Sequence, residues 1–172
     1  MKLAVEFPSV SHREGANLVA RMAQGIEEIG YDHIDIFDHV VMGYDVAGRG
    51  KSLYSPKMPI LEVVSTLSFI AAVTERVTLG TEVLVLPQRQ PALVAKQFST
   101  LDTLSDGRAR LGIGVGWQES EFEALGEDFA DRGARTDEAI ELLRTYWREE
   151  RVDFEGTHYK SVSYTHLTLP TN

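Results

Sequence analysis

The chain has 172 residues, a formal net charge of −9 and no cysteine, which excludes disulfide bonds, thiolate metal sites and cysteine nucleophiles. Hydrophobic residues make up 43% and charged residues 25%, as in a globular domain with its own core. The acidic balance argues against nucleic acid as a partner. No apolar run is long enough to span a membrane, and Glu6 comes too early for a secretory signal, so we expect a cytoplasmic protein.

Short apolar or β-branched runs alternate along the chain with helical patterns. The predicted strands are Leu3–Phe7, Ile34–Phe37, Val77–Leu86 and Arg110–Val115. The predicted helices are Asn17–Ile29, Ile60–Val73, Pro91–Leu104 and Arg135–Arg148, with one or two further turns at Gln118–Leu125. This alternation predicts an α/β fold whose parallel strands are joined by right-handed crossovers.

The spacing of the predicted strands suits two α/β architectures. The strands begin at residues 3, 34, 77 and 110. A (β/α)₈ barrel of about 250 residues has roughly 31 residues per unit, which fits four units with extra residues after the second strand. An open doubly wound sheet fits the same spacing, so the arithmetic leaves both architectures open.

The C-terminal residues have an unusual composition. The segment VSYTHLTLPT, from Val162 to Thr171, resembles the translation of a transposon adapter used in sequencing libraries, and residues 161–172 contain no Asp, Glu, Lys or Arg. We therefore expect residues 161–172 to be foreign to a domain that comprises residues 1–160. A genuine polar β-tail is the alternative interpretation.

Asp38 and His39 directly follow the second predicted strand. In both architectures the carboxyl ends of parallel strands face the active site. A histidine there can exchange a proton near neutral pH or donate a hydrogen bond to a cofactor, and an adjacent carboxylate can tune it. A histidine in a surface loop is the structural alternative.

Gly112, Gly114 and Gly116 alternate along the fourth predicted strand, so they share one of its faces. Three glycines in register indicate close approach by a ligand or by neighbouring backbone, and a tightly packed strand is the simpler explanation. The spacing does not fit the dinucleotide-binding pattern GxGxxG, because Trp117 occupies the place of its third glycine.

Several charged residues lie in or next to the predicted strands. Glu6 and Glu82, inside apolar strands, could handle protons, but we favour structural contacts, for example with Arg110. Arg89 follows a strand end, where it can meet an anionic group or solvent. Arg108 and Arg110 lie at the opposite end of a strand from the predicted site, so we expect structural roles.

Other familiar signatures are missing from the sequence. It contains no P-loop, HExxH or GxSxG motif, and its histidines lack the spacing of metal ligands, so we predict no metal site. The long glycine-containing loop Met42–Ser55 could act as a lid over the strand ends, or it could be a variable insertion.

Several segments together resemble the luciferase-like monooxygenase family of flavin- and deazaflavin (coenzyme F420)-dependent barrel enzymes. The principal block, which starts at Val77, reads VTLGTEVLVLPQRQPALVAKQFSTLDTLSDGRARLGIGVGW and is followed by ESEFEALG and DRGARTDEAIELLRTYW. FDHV at Phe37–Val40 matches the end of the family's second strand, and FEGTHYK at Phe154–Lys160 matches the hairpin before its fifth strand. The resemblance implies a (β/α)₈ TIM barrel truncated to about its first four βα units.

The resemblance also implies roles for individual residues. His39 matches the family's cofactor-proximal histidine and Asp38 its acidic neighbour, so both are predicted catalytic residues. Glu82-Val83 falls where members often have a non-proline cis peptide behind the cofactor ring. The glycine face of the fourth strand would supply a side-chain-free wall for that ring. The residues predicted to bind the cofactor are Gly80, Thr81, Glu82, Val83 and Gly114.

The implied function is that of an oxidoreductase or monooxygenase that uses FMN or coenzyme F420 on a small organic substrate, as a homo-oligomer when full-length. Trp117 stands where the sugar-phosphate dehydrogenase subgroup has a glutamate, which argues against a sugar-phosphate substrate. A non-catalytic flavin-binding barrel and an inert, self-associating half-barrel are the alternatives. Because barrels often bind phosphate after their seventh and eighth strands, we expect this chain alone to be inactive and to bind cofactor weakly or not at all.

Overall fold

The computed structural model describes residues 1–8, 15–45, 53–165 and 167. In chain order, the strands are β1 (Ala4–Glu6), β2 (His33–Ile36), β3 (Thr78–Thr81), β4 (Leu84–Val85), β5 (Ala109–Arg110), β6 (Ile113–Gly114), β7 (Arg151–Glu155) and β8 (Lys160–Thr165). The helices are α1 (Ala16–Ile29), α2 (Val63–Ala71), α3 (Pro91–Leu104), α4 (Glu119–Leu125) and α5 (Arg132–Arg148), and a 3₁₀ turn spans Leu86–Gln88. The alternation predicted from the sequence is confirmed.

The central sheet has four parallel strands in the order β1-β2-β3-β5, and β4 and β6 form a second parallel pair. Strand order in this sheet follows chain order without the reversal that defines the switch point of a doubly wound sheet. The described strands therefore match the barrel arrangement of the two architectures that the spacing allowed. Across the sheet, Glu6 is in register with Asp35, Asp35 with Gly80, and Gly80 with Arg110.

Two predicted strands are each divided in two, so the prediction of continuous strands over Val77–Leu86 and Arg110–Val115 was wrong. The strands divide where hydrogen bonds of a side chain replace the regular main-chain hydrogen bonds between them. Thr81 Oγ1 donates to the carbonyl oxygen of Gly112 at 2.6 Å and accepts from its N–H at 3.0 Å. Regular pairing resumes at Leu84, and the intervening Glu82-Val83 peptide bond is cis, as the resemblance implied.

The hydrophobic core lies between the sheet and the helices that cover one of its faces. Side chains that contribute to it from the strands and from α2 include Ile34, Ile36, Leu67, Ile70, Leu79 and Leu84, each with no exposed surface. Gly30, with φ of 106°, ends α1 in the left-handed conformation that glycine adopts without steric cost. None of the helices in the described ranges is both long and apolar enough to cross a membrane.

Arg108 has the structural role that its position predicted. Its guanidinium donates to the carbonyl oxygens of Ala71, Thr74, Val77 and Ser105, and also to Thr74 Oγ1, at distances of 2.7–3.1 Å. One side chain thereby satisfies the carbonyl groups at the end of α2 and in the loop that leads to β3. This anchors the junction between α2 and β3 to the residues that precede β5.

Arg110 also has a structural role, but with a different partner from the one expected. Its Nη2 lies 2.5 Å from Oδ2 of Asp35, a buried residue of strand β2. Glu6 and Glu82 are instead exposed in this structure, so the proposed contact of either carboxylate with Arg110 was wrong. The buried acid of this sheet layer is Asp35, which sequence analysis did not single out.

The chain ends in an antiparallel β7–β8 hairpin, which confirms the hairpin predicted around Phe154–Lys160. Ser161 is buried, and its Oγ lies 2.8 Å from the hydroxyl oxygen of Tyr146 on α5. Leu167 N–H donates to the carbonyl oxygen of Tyr146 at 2.8 Å. Residues 166 and 168–172 lie outside the described ranges, and the foreign origin of residues 161–172 stays a prediction.

Candidate active site

A cleft of about 330 Å³ opens where the parallel strands end. Its walls are Phe37–His39 after β2, Glu82 and Val83 between β3 and β4, and the segment Gly114–Trp117. Tyr54, Val85 and Glu121 complete the lining. The cleft thus lies at the carboxyl ends of the strands, where parallel α/β proteins place their active sites.

His39 sits in the wall of the cleft with only 8% of its surface exposed. Three aromatic rings surround its imidazole edge-on, with centroid distances of 5.5 Å to Tyr54, 5.6 Å to Trp117 and 6.2 Å to Phe37. Such T-shaped contacts restrict rotation of the imidazole and exclude water from it. This arrangement suits a histidine that serves the cleft better than one in a solvated loop.

Glu121 is the ionisable partner of His39, and its Oε2 lies 3.1 Å from His39 Nδ1. Its other oxygen, Oε1, accepts main-chain N–H bonds from Val40 at 2.5 Å and from Val41 at 3.2 Å. Burial raises the pKa of Glu121, but the side chains of His39 and Gln88 and the Val40 N–H lower it by more, so the pKa lies below its ordinary value. The group is therefore a buried carboxylate at neutral pH.

Sequence analysis missed Glu121, although it quoted the segment that contains it. Glu121 is 1% exposed and stands beside the fully buried Phe122 in α4. The available signal was an acidic residue among the apolar side chains of a short helix, since Leu125 lies one turn after Glu121 and Phe122 adjoins it. A charge in such a place needs a buried partner.

Asp38 precedes His39 in the chain, but its carboxylate is hydrogen-bonded to other residues. Oδ1 accepts a hydrogen bond from Arg89 Nη2 at 2.6 Å, and Oδ2 accepts one from the Val85 N–H at 3.0 Å. Burial raises the pKa of Asp38 above its ordinary value by more than Arg89 lowers it. The expectation that Arg89 can meet an anionic group is confirmed, and its partner is part of the protein.

Of the five predicted cofactor-binding residues, the structure brings Glu82, Val83 and Gly114 to the cleft and leaves Gly80 and Thr81 beneath it. A Cβ on Gly80 would collide with Asp35 Oδ1, and the Thr81 hydroxyl is bonded to Gly112. The predicted roles of all five residues, and those of His39 and Asp38, stay predictions.

The three glycines of the fourth predicted strand lie close to neighbouring residues. A Cβ on Gly112 would collide with the Thr81 carbonyl oxygen, one on Gly114 with Val83, and one on Gly116 with Val85. The close approach of neighbouring groups that the glycines predicted is confirmed. Gly114 and Gly116 also line the cleft, so the use of this face as a wall for a flat ring stays a prediction.

Two further predictions concern the loops and metal binding. Of the loop Met42–Ser55, residues 46–52 lie outside the described ranges, but Tyr54 reaches the cleft and stacks on Phe37 with a centroid distance of 6.0 Å. Its role as a lid stays a prediction. Within the described part of the chain, no group of three or more potential ligands could hold a metal ion.

Comparison with known proteins identifies the family. Residues 3–171 match the family described as luciferase-like monooxygenase. The chain belongs to this family. The resemblance stated from the sequence motifs is thus confirmed.

Individual relatives of this luciferase-like chain are longer than the chain itself. The F420-dependent glucose-6-phosphate dehydrogenase of Nocardia farcinica is 32% identical over 176 residues, which cover 98% of this chain and 48% of the relative. The monooxygenase RslO1 of Streptomyces bottropensis has a TM-score of 0.78 at 29% identity, with 99% of this chain and 49% of that one covered. The chain therefore spans about half the length of the relatives it matches.

A more distant structural neighbour shares the fold. The oxygenating constituent of 3,6-diketocamphane monooxygenase of Pseudomonas putida, solved in complex with FMN, has a TM-score of 0.75 at 18% identity. The match covers 94% of this chain and 43% of that one. The α/β fold with parallel strands is thus shared with both closer and more distant members.

The cleft of this luciferase-like chain fits one part of a flavin or deazaflavin. Aromatic and aliphatic side chains line it, as a flat, largely apolar ring requires, and His39 supplies a polar group at its wall. Among the described residues, the lining includes three carboxylates and neither lysine nor arginine. The described residues therefore fit the ring and not the anionic tail of such a cofactor.

Proposed function

We propose that the chain forms the ring-binding half of a redox site that uses coenzyme F420 or FMN and acts on a small organic substrate. The observation that carries this proposal is the His39–Glu121 pair inside an aromatic cleft at the strand ends. The F420-dependent activity named for a relative that is 32% identical supports it. Trp117 presents an indole at the cleft, so we propose a substrate other than a sugar phosphate.

Each residue of the cleft has a role in this proposal. When bound, the cofactor supplies two-electron redox chemistry, while the protein orients the reactants. His39 has Nδ1 engaged by Glu121, so Nε2 is the atom that exchanges a proton with a bound molecule. Tyr54 and Trp117 exclude water from that atom by packing against the imidazole.

Lysine and arginine are absent from the described lining of the cleft, which predicts that a phosphate group adds little to the binding of a ring compound. Riboflavin and FMN share the same ring, but only FMN carries a phosphate. Since the described cleft offers no lysine or arginine to a phosphate, the two dissociation constants should agree within about threefold. The same comparison applies to F420 and to its deazaflavin ring compound without the phosphate-bearing tail.

The experiment is a fluorescence titration of the 172-residue chain with these four compounds. We expect weak binding that a His39→Ala substitution weakens about tenfold further, whereas His158→Ala, which is not part of the cleft lining, leaves it unchanged. Absence of ring binding up to the solubility limit would refute the proposed site. Tight FMN binding with much weaker riboflavin binding would show that a phosphate site exists elsewhere in the chain.

A further inference from the structure

Helix α4 holds the segment that follows β2 through side-chain and main-chain contacts at once. Glu121 binds the His39 imidazole with one carboxylate oxygen and the N–H groups of Val40 and Val41 with the other. Gln118 Nε2 donates to the carbonyl oxygen of Val41 at 3.1 Å. A Cβ on Gly43 would lie 2.5 Å from Ser120 Oγ, so the packing of the loop on α4 requires glycine there.

We infer that Glu121 is a positioning residue that fixes the tautomer of His39, keeping the proton on Nδ1 and presenting Nε2 to the cleft as a hydrogen-bond acceptor. The inference deepens the proposed function, since it specifies which state of His39 meets a bound molecule. Glu121 touches no bound molecule in this scheme and acts only through His39.

The direction of the tautomer follows from the donors around the carboxylate. A main-chain N–H can only donate, so Oε1 must accept from Val40 and Val41. An ionised carboxylate has no proton, so Oε2 must also accept, and neutral His39 must then carry its proton on Nδ1. The carboxylate of the preceding residue, Asp38, is bonded to Arg89 and Val85 and does not compete for this proton.

A Glu121→Gln substitution tests this reasoning because glutamine has one acceptor and one donor end. The N–H groups of Val40 and Val41 cannot change their polarity, so they should hold the amide oxygen. The amide NH₂ then faces His39 Nδ1 and donates to it. The substitution should therefore reverse the tautomer and place the His39 proton on Nε2, with the side-chain shape unchanged.

The measurement is long-range ¹H–¹⁵N correlation of the imidazole nitrogens in the full chain, at a pH where His39 is neutral. We expect the Nδ1–H form to exceed the Nε2–H form about tenfold or more in the wild type, as a charge-assisted bond favours, and the ratio to invert in Glu121→Gln. Glu119→Gln, the same change at an exposed position of α4, should leave the ratio as in the wild type.

Three results would overturn the inference. They are an Nε2–H tautomer in the wild type, a mixture of both forms there, and an unchanged tautomer in a folded Glu121→Gln variant. The wild-type spectrum is decisive even if the variant does not fold. The tautomer is measured without cofactor, so failed riboflavin binding refutes the proposed function alone, and a wrong tautomer refutes only the role of Glu121.

Discussion

Arg89 Nη2 lies 2.6 Å from Asp38 Oδ1, and this ion pair ties the end of β2 to the turn that follows β4. The Asp38 side chain is 1% exposed and that of Arg89 16%. Since Asp38 precedes His39, the pair fixes the main chain from which the imidazole projects. His39 thus follows one buried carboxylate in the chain and bonds a second, and the two carboxylates have different partners.

Replacing Arg89 by methionine should destabilise the fold in a pH-dependent way. Asp38 would stay buried without its cation, which costs about 3 kcal/mol in the free energy of unfolding at pH 7. Burial already raises the pKa of Asp38 above its ordinary value of 3.8, and loss of Arg89 raises it further.

A carboxyl with a raised pKa favours the folded state below its unfolded pKa and disfavours it as the pH rises through its folded pKa. The deficit of Arg89→Met should therefore shrink as the pH falls towards 3.8. Urea unfolding at several pH values measures this, with Arg144→Met at an exposed position of α5 as control. A deficit that is constant with pH would contradict the assignment to Asp38.

Glu27 should show the opposite pH dependence. Its carboxylate accepts hydrogen bonds from the N–H groups of Glu75, Arg76 and Val77, at 2.6–3.2 Å. Burial raises its pKa, but these three donors lower it by more, so the pKa lies below the ordinary 4.5. This stabilisation is present above pH 4.5 and is lost as the pH falls through the folded pKa.

We expect Glu27→Gln to cost about 1 kcal/mol at pH 7 and progressively less as the solution becomes more acidic. Thermal unfolding from pH 7 to pH 3 provides the comparison with the wild type. Glu28→Gln, at the exposed neighbouring position, serves as the matched control. Equal effects of the two substitutions would show that the negative charge of Glu27 adds nothing to the three main-chain bonds.

Gly112 should not tolerate a methyl group. An alanine Cβ would collide with the carbonyl oxygen of Thr81, which is backbone and cannot rotate away. We expect Gly112→Ala to lower the free energy of unfolding by about 2 kcal/mol. Gly133→Ala, in α5 with no atom near its Cβ position, should instead raise it by about 0.5–1 kcal/mol. Chemical denaturation of both variants measures these two changes in the free energy of unfolding. A Gly112→Ala variant as stable as the wild type would show that strand β6 moves outwards to accommodate the methyl group.

Arg108→Lys should destabilise the junction between α2 and β3. The guanidinium donates five hydrogen bonds in fixed directions, and an ammonium has only three donors on a flexible stem. We expect a loss of about 2 kcal/mol, because carbonyl groups of Ala71 and Thr74 become unpaired. Hydrogen exchange at the end of α2 should accelerate in the variant, whereas Arg144→Lys should have no such effect.

The fold and the position of the cleft follow largely from local patterns. Helical periodicity and β-branched runs were sufficient to predict the order of helices and strands. The position of Asp38 and His39 directly after an apolar strand was sufficient to place His39 at the strand ends. These features depend on residues close together in the chain.

The features that sequence analysis missed depend on residues far apart. The strand breaks arise from the hydrogen bond between Thr81 and Gly112, which are 31 positions apart. A threonine hydroxyl in a strand without such a neighbour would point to solvent. The partner of His39 lies on a helix that sequence analysis treated as one or two turns. The Thr81–Gly112 pairing leaves no local pattern, and the local pattern around Glu121 indicates a buried partner without identifying it as His39.

His39 and Glu121 are separated by 82 positions, and this has a consequence for synthesis of the protein. Chains emerge from the ribosome N-terminus first, and their early segments can fold before later ones exist. Strand β2, which precedes His39, is translated long before α4. The imidazole therefore meets Glu121, the carboxylate that accepts its hydrogen bond, only at a late stage of synthesis.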